Sequence, residues 1–175
     1  RIDYTDSTEG ALLLENSSTN RFLYSEDLTQ FDLSSSGTNS SNPTVTSNYA
    51  ISPDGTQNAD RVQFDAGTDV AGNSRITETF TIFATEETVS VYLKSNDGQE
   101  HIIDIIQSNQ AQDTVTVTSE WKRFSFTRVN TSPDKYGIGL SGVNSETADI
   151  LAWGFQLESN SVASSYIPTN GSTVQ

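Results

Sequence analysis

Cysteine is absent from the sequence of 175 residues. That excludes a disulfide framework, a thiolate nucleophile and any cysteine-based metal site. Histidine occurs once, as His101, so a histidine-rich metal centre within the chain is excluded as well. Positive charge is scarce: 9 Lys and Arg stand against 23 Asp and Glu, a formal net charge of -14. Phosphate backbones need clustered cations, so no nucleic-acid partner is expected. Anionic membrane surfaces are disfavoured for the same reason. No apolar run approaches the roughly 18 residues of a spanning helix, so no membrane insertion is expected. There is no Gly-rich phosphate loop, no Gly-x-Ser-x-Gly nucleophile elbow and no EF-hand loop. The chain opens on Arg1 without the charged start and apolar stretch of a secretory signal. It reads as one domain over 1–175, a fragment of a longer chain.

What is abundant points to β-structure. Ser and Thr supply about a quarter of the residues, and only 33% are hydrophobic. Val, Ile, Phe and Tyr are nevertheless well represented, and β-branched and aromatic residues suit a pleated, half-buried surface. Ser, Asn, Asp and Gly supply turns. Thr88 to Lys94 is the cleanest alternation, with Val89, Val91 and Leu93 on one face and Ser90, Tyr92 and Lys94 on the other. Asn96-Asp97-Gly98 follows as a hairpin signal. His101 to Gln107 is apolar on both faces around Asp104, as a central strand would be. Arg75 to Phe83 alternates through Ile76, Phe80 and Ile82, and Glu78 breaks that face, which predicts a bulge or an edge. Ser34 to Pro43 is polar enough for a long loop. Ser52-Pro53-Asp54-Gly55 is a turn. Ser25 to Phe31 allows one helical turn at most. In the last strand, Trp153 shares parity with Leu151, Phe155 and Leu157, which predicts a core face. The whole gives an all-β chain: an antiparallel β-sandwich, a jelly roll of about eight to ten strands.

Three stretches carry a family pattern: RIDYTDSTEGALLLENSSTNRFLYSEDL, AISPDGTQNADRV and WGFQLESNSVASSYIPTNGSTVQ. Through Arg1–Tyr4, Leu12–Asn20, Tyr24–Asp27, Pro53–Thr56 and Gln156–Thr169, the chain resembles a module of bacteriophage tail and fibre proteins and of secreted bacterial proteins. Trp121-Lys122-Arg123-Phe124 resembles the Trp-Lys-Arg strand of galactose-binding-like carbohydrate modules. The resemblance implies a non-catalytic jelly roll on a virion surface or outside the cell. It also implies one structural calcium, with ligands from early and late segments; Glu26, Asp27 and Glu158 are the candidates. One departure is visible: where the family often has Glu-Pro-x-Arg-Thr-Asn, this chain has Glu15-Asn16-Ser17-Ser18-Thr19-Asn20.

Two aromatics are candidates for a sugar platform, because the CH face of a pyranose matches an aromatic face. Trp121 has the opposite parity to Phe124 and Phe126 and points outward; the plainer alternative is that it covers the core rim. Tyr92 stands on the polar side of its strand, where Ser90 and Lys94 could donate to hydroxyls; the plainer alternative is a second layer or a subunit contact. Arg123 adds a hydrogen-bonding head. Asp104, between two isoleucines, either lies partly buried with a raised pKa or faces out. No carboxylate pair stands out as catalytic, so no enzyme is expected. The expected function is a non-catalytic carbohydrate-binding module that attaches a phage fibre or secreted protein to polysaccharide or cell-surface glycan. The alternative is an assembly domain of a fibre or appendage, a homotrimer about a threefold axis. The net charge argues against polyanionic glycans unless calcium or a basic patch such as Lys122, Arg123 and Arg128 mediates contact.

Overall fold

The computed structural model describes residues 2–3, 11–12, 17–81, 86–107, 112–129 and 134–174. Arg1, Tyr4, Leu13 to Asn16 and Ile82, which entered the motifs and strands above, lie outside them. Strands β1 (Ile2–Asp3) and β2 (Ala11–Leu12) pair with each other. The remaining ten are β3 (Asp32–Ser36), β4 (Ser41–Ala50), β5 (Ala59–Asp65), β6 (Asn73–Phe80), β7 (Glu87–Ser95), β8 (His101–Ile106), β9 (Gln112–Val117), β10 (Lys122–Arg128), β11 (Asp134–Ser141) and β12 (Thr147–Glu158). Sheet I has the order β10-β7-β12-β5-β4 and sheet II the order β3-β6-β11-β8-β9, all antiparallel. The sandwich is the expected one. One 3₁₀ turn, Leu28–Gln30, is the only helix among the described residues, and Asp27 caps it.

The alternations land where side-chain parity puts them. Val89, Val91 and Leu93 of β7 meet Ile103 and Ile105 of β8, Ile138 and Leu140 of β11 and Val62 and Phe64 of β5 in one core. Phe22, from the segment before the 3₁₀ turn, joins them, stacked on Phe31 and edge-on to Phe80 and Phe155.

Four local expectations are corrected. The Ser34 to Pro43 stretch is not a long loop: it ends β3, turns at Gly37 and Asn39, and starts β4. Both strands are sheet edges, largely exposed on their faces, so they need no apolar alternation. Asn96-Asp97-Gly98 does turn the chain, with Gly98 at φ 78, but it carries it from sheet I to sheet II and does not close a hairpin. β6 is neither an edge nor bulged: Glu78 sits in unbroken register opposite Tyr136.

The fourth concerns Trp153. It is buried, but on the outer face of sheet I, outside the core cluster. A β-bulge between Trp153 and Gln156, with Gly154 at φ 70, switches parity within β12. Ile150 and Ala152 before it and Phe155 and Leu157 after it all face the core, whereas Leu151 and Trp153 face out. A Cβ at Gly154 would lie 3.2 Å from the Tyr166 ring and 3.3 Å from the Tyr92 ring. Gly154→Ala is therefore expected to cost about 2 kcal/mol, from the left-handed backbone and the two tight ring contacts. A thermal melt should show a fall of about 5 °C; an unchanged midpoint would mean that the bulge relaxes freely.

Candidate functional site

The outer face of sheet I is crossed by the chain after β12. Thr88 donates to Asn160 O, Thr127 to Ser161 O and Arg123 to Ser164 O. Gln156 donates to Ser165 O and accepts from the Ile167 N–H. Tyr166 packs on Trp153, with ring centroids 4.4 Å apart, and Trp153 packs on Tyr92 at 5.3 Å. The Arg123 guanidinium closes this row over Tyr92 and also donates to Ser90. At the other end, the Tyr166 hydroxyl donates to Glu26 at 2.9 Å. Burial raises the pKa of that hydroxyl above the ordinary phenol range.

The terminal segment also bonds to the segment before the 3₁₀ turn. Asn20 bridges to Val174 and Tyr24 to Asn170. The Ser25 hydroxyl takes the Thr169 N–H at 2.9 Å and lies 2.6 Å from the Tyr166 hydroxyl. At this junction, against the exposed edge of β4, lies a cavity of about 260 Å³. Tyr24, Glu26 and Asp27 come from the early segment, Asn48 from β4, Asn58 and Asp60 from the start of β5, and Asn170 from the terminal segment. Each wall has a local cause. Asn48 adopts φ 52, a left-handed conformation that asparagine tolerates. The Ser52 to Thr56 turn folds on Asp54, whose carboxylate accepts from Ser52 and Thr56 and is held below its usual range by the Ser52 hydroxyl. That turn delivers Asn58 to the cavity.

Asp60 joins the walls. It is buried, and its two oxygens accept the Leu28 N–H at 2.8 Å and the Asn48 N–H at 2.9 Å. Burial raises its pKa in spite of those bonds. Both Glu26 oxygens are engaged, by Tyr166 and by the Asn58 amide at 2.9 Å. Asp27 accepts from Thr29 and Gln30. Every carboxylate here is hydrogen-bonded. Asn58 Oδ1 is buried and has no partner. The lining combines one aromatic ring with carboxylate and amide acceptors and amide and hydroxyl donors, and it contains no cation among the described residues. Such a lining suits a neutral polyhydroxylated ligand and repels anions.

The four residues expected to bind sugar do not line this cavity. Tyr92 and Lys94 do stand on the outer face of β7, opposite Trp153 and Leu151. Tyr92 and Arg123 are held in the aromatic row, behind Glu26. Trp121 faces outward in part and donates its indole N–H to Ile51 O at 3.2 Å. The three carboxylates expected to hold calcium separate. Glu26 and Asp27 line the cavity, whereas Glu158 is buried elsewhere and accepts from Ser18, Gln156 and Ser164. Glu26, Asp27 and Glu158 share no hydrogen-bonding partner, and among the described residues no group of three His, Asp or Glu is gathered for a metal. That set does not fit one calcium ion. Tyr24, Asn48, Asn58, Asp60 and Asn170 were missed. Asp60 did carry a signal, since it shares parity with the core residues Val62 and Phe64.

No family model and no curated protein matches the chain. Solved structures do. A family 11 carbohydrate-binding module from Clostridium thermocellum, solved with a β-1,3-1,4-mixed-linked tetrasaccharide, is 12% identical, with a TM-score of 0.53 over 90% of this chain and 100% of that one. A structure concerning the promiscuous specificity of carbohydrate-binding modules of the β-sandwich superfamily is 13% identical, with a TM-score of 0.52 over 79% of this chain and 61% of that one. The enzymatically active domain of bacteriophage CBA120 tailspike protein 4 is 12% identical; the chain spans only 20% of it, with a TM-score of 0.46, too loose to carry an argument. The fold is thus that of carbohydrate-binding β-sandwiches.

Proposed function

We propose that the chain is a non-catalytic sugar-binding module whose site is the cavity between the early segment, the β4 edge and the terminal segment. The observation that carries this reading is the lining itself: Tyr24, Asn58 with its buried, unpartnered Oδ1, further amides and engaged carboxylates. A pyranose would place its CH face on Tyr24 and donate a hydroxyl to Asn58 Oδ1. The cavity is a little smaller than the roughly 300 Å³ at which drug-sized sites begin, so it takes one sugar unit of a chain. Binding by one copy is weak, and repetition on a fibre or beside an enzyme raises avidity. As the sequence resemblance implies, the module serves to hold a phage fibre or a secreted protein on polysaccharide.

A β-1,3-1,4-mixed-linked tetrasaccharide, the ligand in the structure of one neighbour, is the first ligand to try, followed by a panel of neutral polysaccharides in affinity gels. Tyr24→Ala is expected to weaken retention about tenfold, the loss of one aromatic contact of about 1.4 kcal/mol. If Trp121→Ala abolishes retention and Tyr24→Ala does not, the sugar lies on the outer face of sheet I and the cavity assignment fails.

A further inference from the structure

A second cavity of about 260 Å³ lies on the outer face of sheet II, on the opposite side of the sandwich. Its electrostatics are the reverse of the first. Arg75 of β6 and Lys135 of β11 line it, two of the 9 Lys and Arg of the chain, and no carboxylate does among the described residues. Lys135 has no ion-pair partner among the described residues. Ser34 and Ser36 of β3 add hydroxyls, in register with Arg75 and Asn73. Thr77 supplies the most telling atom. It is 2% exposed and lines the cavity, and its hydroxyl is buried without a hydrogen-bond partner. A buried hydroxyl normally finds a partner; this one has none, in a residue that lines the cavity.

The backbone makes room for this arrangement. Gly137 and Gly139 of β11 present no side chain to the outer face. A Cβ at Gly139 would come within 2.9 Å of Arg75 Cγ and 3.2 Å of Ile106 Cδ1. Glycine there lets Arg75 and Ile106 close over the strand. The basic residues of β10 are engaged elsewhere. Arg128 pairs with Asp113 at 3.0 Å, Arg123 is bonded to Ser164 O and Ser90, and Lys122 lies over Phe124. Carboxylates beside the cavity are Asp32, opposite Thr77 on β3, and Asp104, which interacts with Arg75 and accepts from Ser141 and Asn144.

We infer that this cavity binds a compact oxyanion, with Arg75 and Lys135 supplying charge and Thr77 and Ser34 donating hydroxyl hydrogen bonds. The shared chemistry is a carboxylate or sulfate group, carried by an acidic sugar or present as an inorganic ion. The inference does not rest on the sugar cavity, and it makes the module capable of engaging a neutral and an acidic unit on opposite faces.

The test uses the whole chain, ¹⁵N-labelled, titrated separately with galacturonate, galactose and sodium sulfate. Galacturonate is expected to shift the amides of Thr77, Ser34 and Lys135, and galactose to leave them in place. Lys135→Gln is expected to weaken galacturonate about tenfold and Thr77→Val about fivefold, as the loss of one charged and one neutral hydrogen bond requires. Thermal melts of both variants show whether they remain folded, and Tyr24→Ala should leave the galacturonate shifts unchanged. Sulfate competing with galacturonate supports an oxyanion site open to either source; sulfate alone binding supports the site and assigns it to the inorganic ion. Equal shifts with galactose, no shifts with either anion, or galacturonate affinity unchanged in Lys135→Gln would overturn the inference.

Discussion

Asn20→Ala is expected to destabilise the chain by about 4 kcal/mol, the largest loss expected from any single polar residue here. The side chain is wholly buried and makes four hydrogen bonds. Its amide donates to Phe155 O at 2.9 Å and Ile167 O at 2.8 Å, and its oxygen accepts the N–H groups of Phe22 and Leu157, each at 3.2 Å. One residue thus ties the early segment, the last strand and the terminal segment together. Truncation leaves four main-chain groups without partners, each costing about 1–3 kcal/mol if buried, and local relaxation recovers only part of that. Thermal unfolding should shift down by about 12 °C. Because the same junction positions Tyr24 and Asn170, the variant should also lose glycan retention at temperatures where it is still folded. A loss below about 1 kcal/mol would show that the junction is held by other contacts.

Glu78→Gln is expected to raise stability by up to about 3 kcal/mol, a gain that grows as pH rises above the unfolded value of 4.5 and is complete above about 7. Glu78 lies in the interior of sheet II, and burial, with a smaller contribution from Asp32, pushes its pKa up to about 7. The folded state therefore favours the protonated carboxyl. Below the unfolded value of 4.5 the acid is neutral in both states and costs nothing. As pH rises from there through about 7, the unfolded chain ionises first and stability is lost, and above that the loss is constant. Glutamine has no charge to bury, so wild type and variant should match near pH 4 and differ by about 8 °C in Tm near pH 8. Asp60 and Asp104 are raised by burial too, so the difference between the two proteins, and not the wild-type curve, isolates Glu78. Equal pH profiles would mean that water reaches the carboxylate.

The sandwich was legible because its internal strands alternate. Val89, Val91 and Leu93 reached the core as parity requires. Edge strands are hard to read: β3 and β4 are solvated on most of their length, and Ser34 to Pro43, which ends one and starts the other, reads as loop. Trp153 escaped for another reason, because one inserted residue with a left-handed glycine reverses parity and leaves no trace in the hydrophobic pattern. The motif residues that carried the resemblance proved to be largely scaffold. Asn20, Ser25, Gln156, Glu158, Tyr166 and Thr169 bond the two ends of the chain to each other and to β12. Glu26 and Asp27 were recognised as a pair of acids, but Asn48, Asn58 and Asn170 join them only through folding. No spacing rule connects four segments that far apart.

The most direct test is an NMR titration of the ¹⁵N-labelled chain with mixed-linked β-glucan oligosaccharides and, in parallel, with the other neutral glycans of the panel. At least one should move the amides of Tyr24, Asn48, Asn58 and Asn170 together and saturably, with Tyr24→Ala weakening the binding about tenfold. Shifts confined to Tyr92, Trp121 and Lys94, or a panel that leaves all of these amides unmoved, would contradict a sugar site at the junction.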